Sequence, residues 1–358
     1  LGNVSTHDPY PWPAASWTGV GSWPGEDPDE AARTIVGELP DLPHLPELPA
    51  RGVGADMIGR AAGLLVDLPV EVQPSGWRLV DRPGRDLYRA GTFLSHDLDA
   101  LTEHAHEYAG TLKIQVAGAW TLAASVELRS GQRMVSDPGA VRDLAESHRE
   151  GVLAHVAEVH KRLPSARLLV QIDEPSLPAV LLGTLPTASG YGRHPAVDRV
   201  VVESALRDLF TGIEGLGAVP AAHCCAPGAP IDLMRRSGAH ALGLDALRLT
   251  RDDDEMLGTA VEAGTALMMG VVPSDGDTPE TDARMSDPAA TVDPVRELWH
   301  RLGITPDLLS RAVAVTPACG LAGASPAHAR AALTAARDGA RVLRDEPGRQ
   351  GRGAPPAR

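Results

Sequence analysis

His223-Cys224-Cys225 places an imidazole and a thiol two residues apart at the end of an apolar run, with Pro227 and Gly228 just beyond. Proline and glycine favour a turn there, and a turning backbone can aim His223 and Cys225 at one metal ion. Cys319 ends another apolar run and is followed by Gly320. One histidine and two thiolates form a borderline-soft donor set suited to Zn²⁺. The three cysteines read equally as small buried hydrophobes. Along a strand Cys224 and Cys225 point to opposite faces, and His223 shares its face with Cys225. Asp245 closes a further run and reads as a fourth ligand, a group behind the ligands, or a cap.

Asp173-Glu174-Pro175 ends a strongly apolar run with two carboxylates and a residue that stops a ladder. A carboxylate at the mouth of a barrel binds an ammonium group or moves a proton. The competing reading is a turn with a helix cap. In Gly21-Ser22-Trp23-Pro24 the Ser22 hydroxyl and neighbouring N–H groups suit a carboxylate ligand, or the glycines serve a tight connection. In Gly118-Ala119-Trp120-Thr121, Trp120 stacks on a flat ligand or caps the core.

These residues sit at the C-terminal ends of short β-like runs. The runs at 167–175, 265–273 and 312–320 are nearly continuous in apolar residues, as buried parallel strands are. Further runs lie at 113–121, ending in Gly and Trp, and at 218–225 and 239–246, and 18–24 reads as a first strand end. Amphipathic stretches at 137–163, 197–216, 252–263 and 292–302 separate them. Asp137-Pro138 and Ser325-Pro326 carry the cap-plus-proline signal of a helix start, the latter opening a helix through 343. Residues 88–94 read as one more strand and 273–291 as a long loop. The segment 39–49 holds four prolines, so it is extended and neither helix nor central strand. Strand–helix alternation implies parallel α/β architecture. A barrel gathers Ser22, Trp120, Asp173, Glu174, His223, Cys225, Asp245 and Cys319 at one face, whereas an open sheet scatters them. A (β/α)8 TIM barrel with an irregular proline-rich N-terminal segment is therefore expected. Residues 1–15 read as an extension, 16–343 as a single catalytic barrel domain, and 344–358 as a disordered tail.

With 47 acidic against 33 basic residues the net charge is −14, which argues against non-specific binding to nucleic acid or anionic membrane. No run approaches the length of a membrane span. Three cysteines in 358 residues argue against a disulfide scaffold and for a cytoplasmic protein. Neither G-x-G-x-x-G opening a helix nor G-x-x-x-x-G-K-[ST] occurs, which weakens dinucleotide and P-loop readings.

Taken together the motifs resemble the C-terminal catalytic domain of cobalamin-independent methionine synthase, short archaeal-type forms included. Gly21-Ser22-Trp23-Pro24 is similar to that family's G-S-F-P, Ile172-Asp173-Glu174-Pro175 to its I-D-E-P, His223-Cys224-Cys225 to its H-x-C, and Pro317-Ala318-Cys319-Gly320-Leu321 to its P-D-C-G-L. The resemblance covers about 16–343. It implies a (β/α)8 barrel that transfers a methyl group to homocysteine sulfur, with zinc on His223, Cys225 and Cys319. It also implies that Ser22 and Asp173 hold the amino acid; Glu174 and Trp120 remain substrate-binding candidates from their own places at strand ends. The family's glutamate ligand is replaced by Asp245. The loop 270–276 lacks the family's histidine, leaving Asp275 as its proton-handling candidate, and Ala318 stands in place of an aspartate. The family's N-terminal glutamate for the substrate ammonium has Glu47 or Arg51 near its place. Nothing matches the N-terminal half of the full-length synthase. The methyl donor expected is thus a methylcorrinoid, free or as a methylated corrinoid protein, with 5-methyltetrahydrofolate as the other candidate. Alternatives are a different thiol or corrinoid methyltransferase, a uroporphyrinogen-decarboxylase-like enzyme, or a non-catalytic zinc or amino-acid binding homologue.

Overall fold

The computed structural model describes residues 10–274 and 278–348. Helices α1 (Pro28–Glu38) and α2 (Met57–Ala62) precede a hairpin of β1 (Val70–Gln73) and β2 (Gly76–Leu79), and α3 (Arg85–Ala105) leads into the main sheet. Strands and helices then alternate. The first part holds β3 (Thr111–Ala117), α4 (Ala119–Ser125), α5 (Pro138–Arg162), β4 (Arg167–Asp173), α6 (Leu177–Leu182), α7 (Arg199–Gly215) and β5 (Val219–Cys224). The rest holds α8 (Ile231–Arg236), β6 (Ala241–Asp245), α9 (Asp254–Glu262), β7 (Ala266–Val272), α10 (Pro279–Met285), α11 (Pro288–Leu302), α12 (Leu309–Ala312), β8 (Val313–Pro317) and α13 (Pro326–Asp345). Among the described residues no helix is long and apolar enough to cross a membrane.

Strands β3 to β8 form one parallel sheet in chain order. Every residue of β3, β5, β6, β7 and β8 is buried, because helices cover one face and the curled interior fills the other. The helix starts follow local chemistry. Asp137 accepts from the Ala140 N–H with Pro138 in the first turn, and Ser325 accepts from the His328 N–H ahead of Pro326.

Two local expectations are overturned. Residues 88–94 lie inside α3, not in a strand: Ala90, Leu94, Leu98, Leu101 and Ala105 are its buried face, a helical period. The region 273–291 is not one long loop, since Thr278-Pro279 and Asp287-Pro288 each cap a helix, α10 and α11.

Where an eight-stranded barrel is expected, the described residues hold a curled six-stranded sheet whose two edges meet segments held by single bridges. Trp17 bridges Val315 on β8, Ser22 bridges Glu47, and His44 bridges Lys113 on β3. Backbone bonds support each contact, from the Thr18 N–H to the Val315 carbonyl (3.1 Å), from Trp23 to Glu47 (2.8 Å) and from Leu45 to Lys113 (2.9 Å). The proline-rich segment is extended as expected, and it lies in the core. Leu39, Leu42, Leu45 and Leu48 recur every third residue, the period of a polyproline-type chain, and all four are fully buried.

Candidate active site

Parallel register puts Ala117, Asp173, His223 and Gly243 side by side across β3 to β6. Side chains level with one another on neighbouring strands share a face, so Asp173 meets His223. The His223 Nδ1 and Asp173 Oδ1 are 2.7 Å apart. An ionised carboxylate only accepts, so against one Nδ1 is the donor, and in the neutral ring Nε2 then has the lone pair. Gln171, one inward step down β4, donates to the same Oδ1 at 2.7 Å. The approach is close. A Cβ on Gly243 would stand 2.9 Å from the His223 ring, and one on Gly320 would collide with the Ser22 hydroxyl.

Cys225 lies just past the end of β5 and Cys319 just past β8, with their sulfurs 3.6 Å apart. Both line a cavity of about 350 Å³, with Ser22, Glu47, Asp173 and His223 around it and Val20, Pro49 and Met57 supplying apolar walls. The Ser22 Oγ accepts from the Ala322 N–H (3.2 Å), leaving its own hydrogen to donate. Glu47 accepts from Gln115 Nε2 (3.1 Å) and stands 3.9 Å from Arg60, which also pairs with Asp97.

Burial pushes the Glu47 carboxyl above the usual range, opposed by Arg60. The two sulfurs are within hydrogen-bonding distance of each other. The hydrogen bond from Cys225 holds the Cys319 thiol well below its ordinary pKa, aided by the Gly320 N–H and the His223 ring, and Cys225 is pushed up in turn. The pair therefore already favours one thiolate. Cys224 is different: it faces the core, and burial raises it to about 12.

Two ligand sulfurs, each ~2.3 Å from a tetrahedral zinc, stand about 3.8 Å apart, close to the thiol spacing found here. The carboxylate on Nδ1 is the arrangement that orients a histidine for a metal through Nε2. Among the described residues no group of three or more His, Cys, Asp and Glu side chains is gathered tightly enough to hold a metal ion. The donor chemistry fits zinc, then, as a thiol pair with His223 beside it and not as a finished cluster.

Three expected residues are not brought to this cavity. Asp245 caps its own turn, accepting from Leu247 N–H (3.0 Å) and Arg248 Nε (2.9 Å). Glu174 lies behind the sheet and accepts from the Trp120 N–H (3.1 Å), the Thr121 N–H (2.8 Å) and the Thr121 hydroxyl (2.8 Å), closing the N-terminus of α4. Trp120 lines a separate groove of about 380 Å³ beside α5 and α7, with Val141, Arg149 and Val201. Asp275 lies outside the described residues. Of the two residues near the place of the family's N-terminal glutamate, Glu47 lines the cavity and Arg51 donates to Asp97 instead. The signal for Glu47 was the leucine repeat, which buries the segment and carries Glu47 in with it.

The chain matches the family model described as "Cobalamin-independent synthase, Catalytic domain" over residues 15–342. Its fold is similar to a B12-independent methionine synthase from Shewanella sp. W3-18-1, solved in complex with selenomethionine. The TM-score is 0.58 at 13% identity, covering 93% of this chain and 99% of that one. A match to the C-terminal domain of a putative chitinase from Desulfitobacterium hafniense DCB-2 has a TM-score of 0.42 at 8% identity, covering 91% and 99%, too low to argue from. No curated protein matches the chain. With the family model spanning nearly the whole sequence, the chain belongs to the family of cobalamin-independent synthase catalytic domains.

Proposed function

We propose that this chain transfers a methyl group to the sulfur of homocysteine, forming methionine. The observation that carries the reading is the shared cavity, in which a close thiol pair faces two carboxylates and a hydroxyl with a hydrogen to donate. Glu47 and Asp173 suit the substrate ammonium. Ser22 suits its carboxylate. Held at both ends, the amino acid has its sulfur fixed for attack. Cys225, Cys319 and His223, through Nε2, would hold zinc. Zinc bound there lowers the pKa of a thiol and keeps the thiolate at neutral pH. The substrate thiol gives its proton to solvent, its sulfur bonds to the methyl carbon, and the donor leaves with the electrons of the bond it breaks. In the same reading the bridged segments 16–23 and 43–47 fill the two remaining positions of a (β/α)8 barrel, and 16–343 is the catalytic unit.

The experiment supplies homocysteine and zinc to the purified chain and follows methionine by mass spectrometry. Methylcobalamin and 5-methyltetrahydrofolate are compared at equal concentration. A tertiary-amine leaving group needs protonation, and residues 270–276 carry no histidine, so methylcobalamin is expected to be the faster donor. Faster methyl-folate turnover would overturn that choice of donor. Zinc and homocysteine binding without turnover on either donor would make the chain a binding protein instead.

A further inference from the structure

Lys113 is fully buried in the interior of the sheet. A buried ammonium is costly unless it is paired. Here its Nζ donates to the Val20 carbonyl (2.7 Å) and reaches Gln115 Oε1 at 3.5 Å, not a carboxylate. Two amide arms run on from this centre. Gln115 Nε2 donates to Glu47, and Gln171 Nε2 donates to both the Val20 carbonyl (3.1 Å) and Asp173. Each arm therefore ends on a cavity carboxylate. Lys113 is also electrostatically coupled to both Asp173 and Glu47, which offset the burial that lowers it to about 8.

The charges explain why a lysine is needed. Two carboxylates around one cavity repel each other, and burial already disfavours the ionised Glu47. Arg60 reaches Glu47 only, at 3.9 Å. A cation behind the two arms sets positive charge near both carboxylates without occupying the cavity, which stays open to an incoming ammonium. The same Nζ pins the Val20 carbonyl two residues before Ser22 and so fixes the turn carrying that hydroxyl.

We propose that Lys113 is the positioning residue of the amino-acid pocket: through Gln115, Gln171 and the Val20 carbonyl it keeps Glu47 and Asp173 aimed at a substrate ammonium, with its own charge set behind them. This rests on the amino-acid reading of the cavity. A group that acts on the carboxylates matters only for ligands that bear the ammonium, and that separates it from a merely structural lysine.

The test is calorimetry on the zinc-loaded full chain with homocysteine and with its desamino analogue, 4-mercaptobutanoate. In Lys113→Met the preference for homocysteine over the analogue is expected to fall about tenfold, as a charge-assisted contact is weakened, while the analogue's own affinity changes less than about threefold. Gln115→Met and Gln171→Met each cut one arm and are expected to give smaller losses of the same preference. They carry the test should Lys113→Met not fold. Equal weakening of both ligands, or an unchanged preference in the variants, overturns the inference while the amino-acid pocket stands. Failure of the wild-type chain to bind homocysteine overturns the proposed function and this inference together.

Discussion

Asp173 and Glu174 are consecutive carboxylates, both buried, and they belong to different regions of the molecule. Asp173 faces the cavity and holds His223, whereas Glu174 faces the helical layer and holds the start of α4. Cys225 and Cys224 divide the same way, one beside Cys319 and the other in the core. The pleat of a parallel strand sends alternate residues to opposite faces. Like side-chain chemistry thus lines the cavity in front of the sheet and serves packing or capping behind it.

The sharpest way to break this contrast is to remove one thiol from each side. Cys319→Ser is expected to bring homocysteine methylation close to background, because a hydroxyl is a poor replacement for a thiolate. Cys224→Ser buries a hydroxyl in the core, costing about 1 kcal/mol of stability with turnover per folded molecule intact. Denaturant titration and methionine formation on both variants read the two effects separately. Equal turnover losses would dissolve the distinction between the regions.

The carboxylates give the next largest effect. Asp173→Asn is expected to cost about 10- to 100-fold in metal affinity or turnover with little change in Tm. Glu174→Gln faces backbone N–H donors with an amide and is expected to cost about 1–3 kcal/mol of stability with kcat retained. A kcat loss in Glu174→Gln as large as that of Asp173→Asn would contradict the assignment. Gly243→Ala sharpens the picture within the front region. Its methyl group pushes the His223 ring, and about a tenfold fall in turnover is expected from a displaced ring, with the fold unaltered by circular dichroism.

A smaller effect lies in pH. Burial raises the Glu174 carboxyl from 4.5 to about 7. The folded chain then holds a proton there that the unfolded chain has released, so this group's contribution to stability declines as pH rises from about 4.5 to 7. Tm measured across that window is expected to show the decline in wild type and to lose that component in Glu174→Gln. Parallel curves for the two proteins would refute it.

Much of the architecture was legible in the residues. The apolar runs that became β4 to β8, and the helices between them, stand out because both faces of a parallel sheet are covered. The regions at the sheet's two edges were harder, since 16–23 and 43–47 are held by single bridges and have no long ladder to write an alternation into the sequence. The helix at 85–105 was masked by a short apolar stretch that also suits a strand. For the cavity, the motifs at the strand ends mark Ser22, Asp173, His223, Cys225 and Cys319, which line it together. The alternation that separates Cys224 from Cys225 separates Glu174 from Asp173 as well, and applied there it removes Glu174 from the substrate side. For Glu47 the leucine repeat marks a buried segment, but the choice between Glu47 and Arg51 depends on a long-range bridge to Ser22, and Lys113 depends on the interior of a curled sheet, which a linear pattern does not display.

The most direct test is the zinc bound per chain, by elemental analysis, in reduced wild type and in Cys225→Ser, Cys319→Ser and Cys224→Ser. The account predicts one zinc in wild type and in Cys224→Ser, and its loss in the other two. Zinc content that is absent from wild type, or that does not distinguish Cys224 from Cys225 and Cys319, would contradict it.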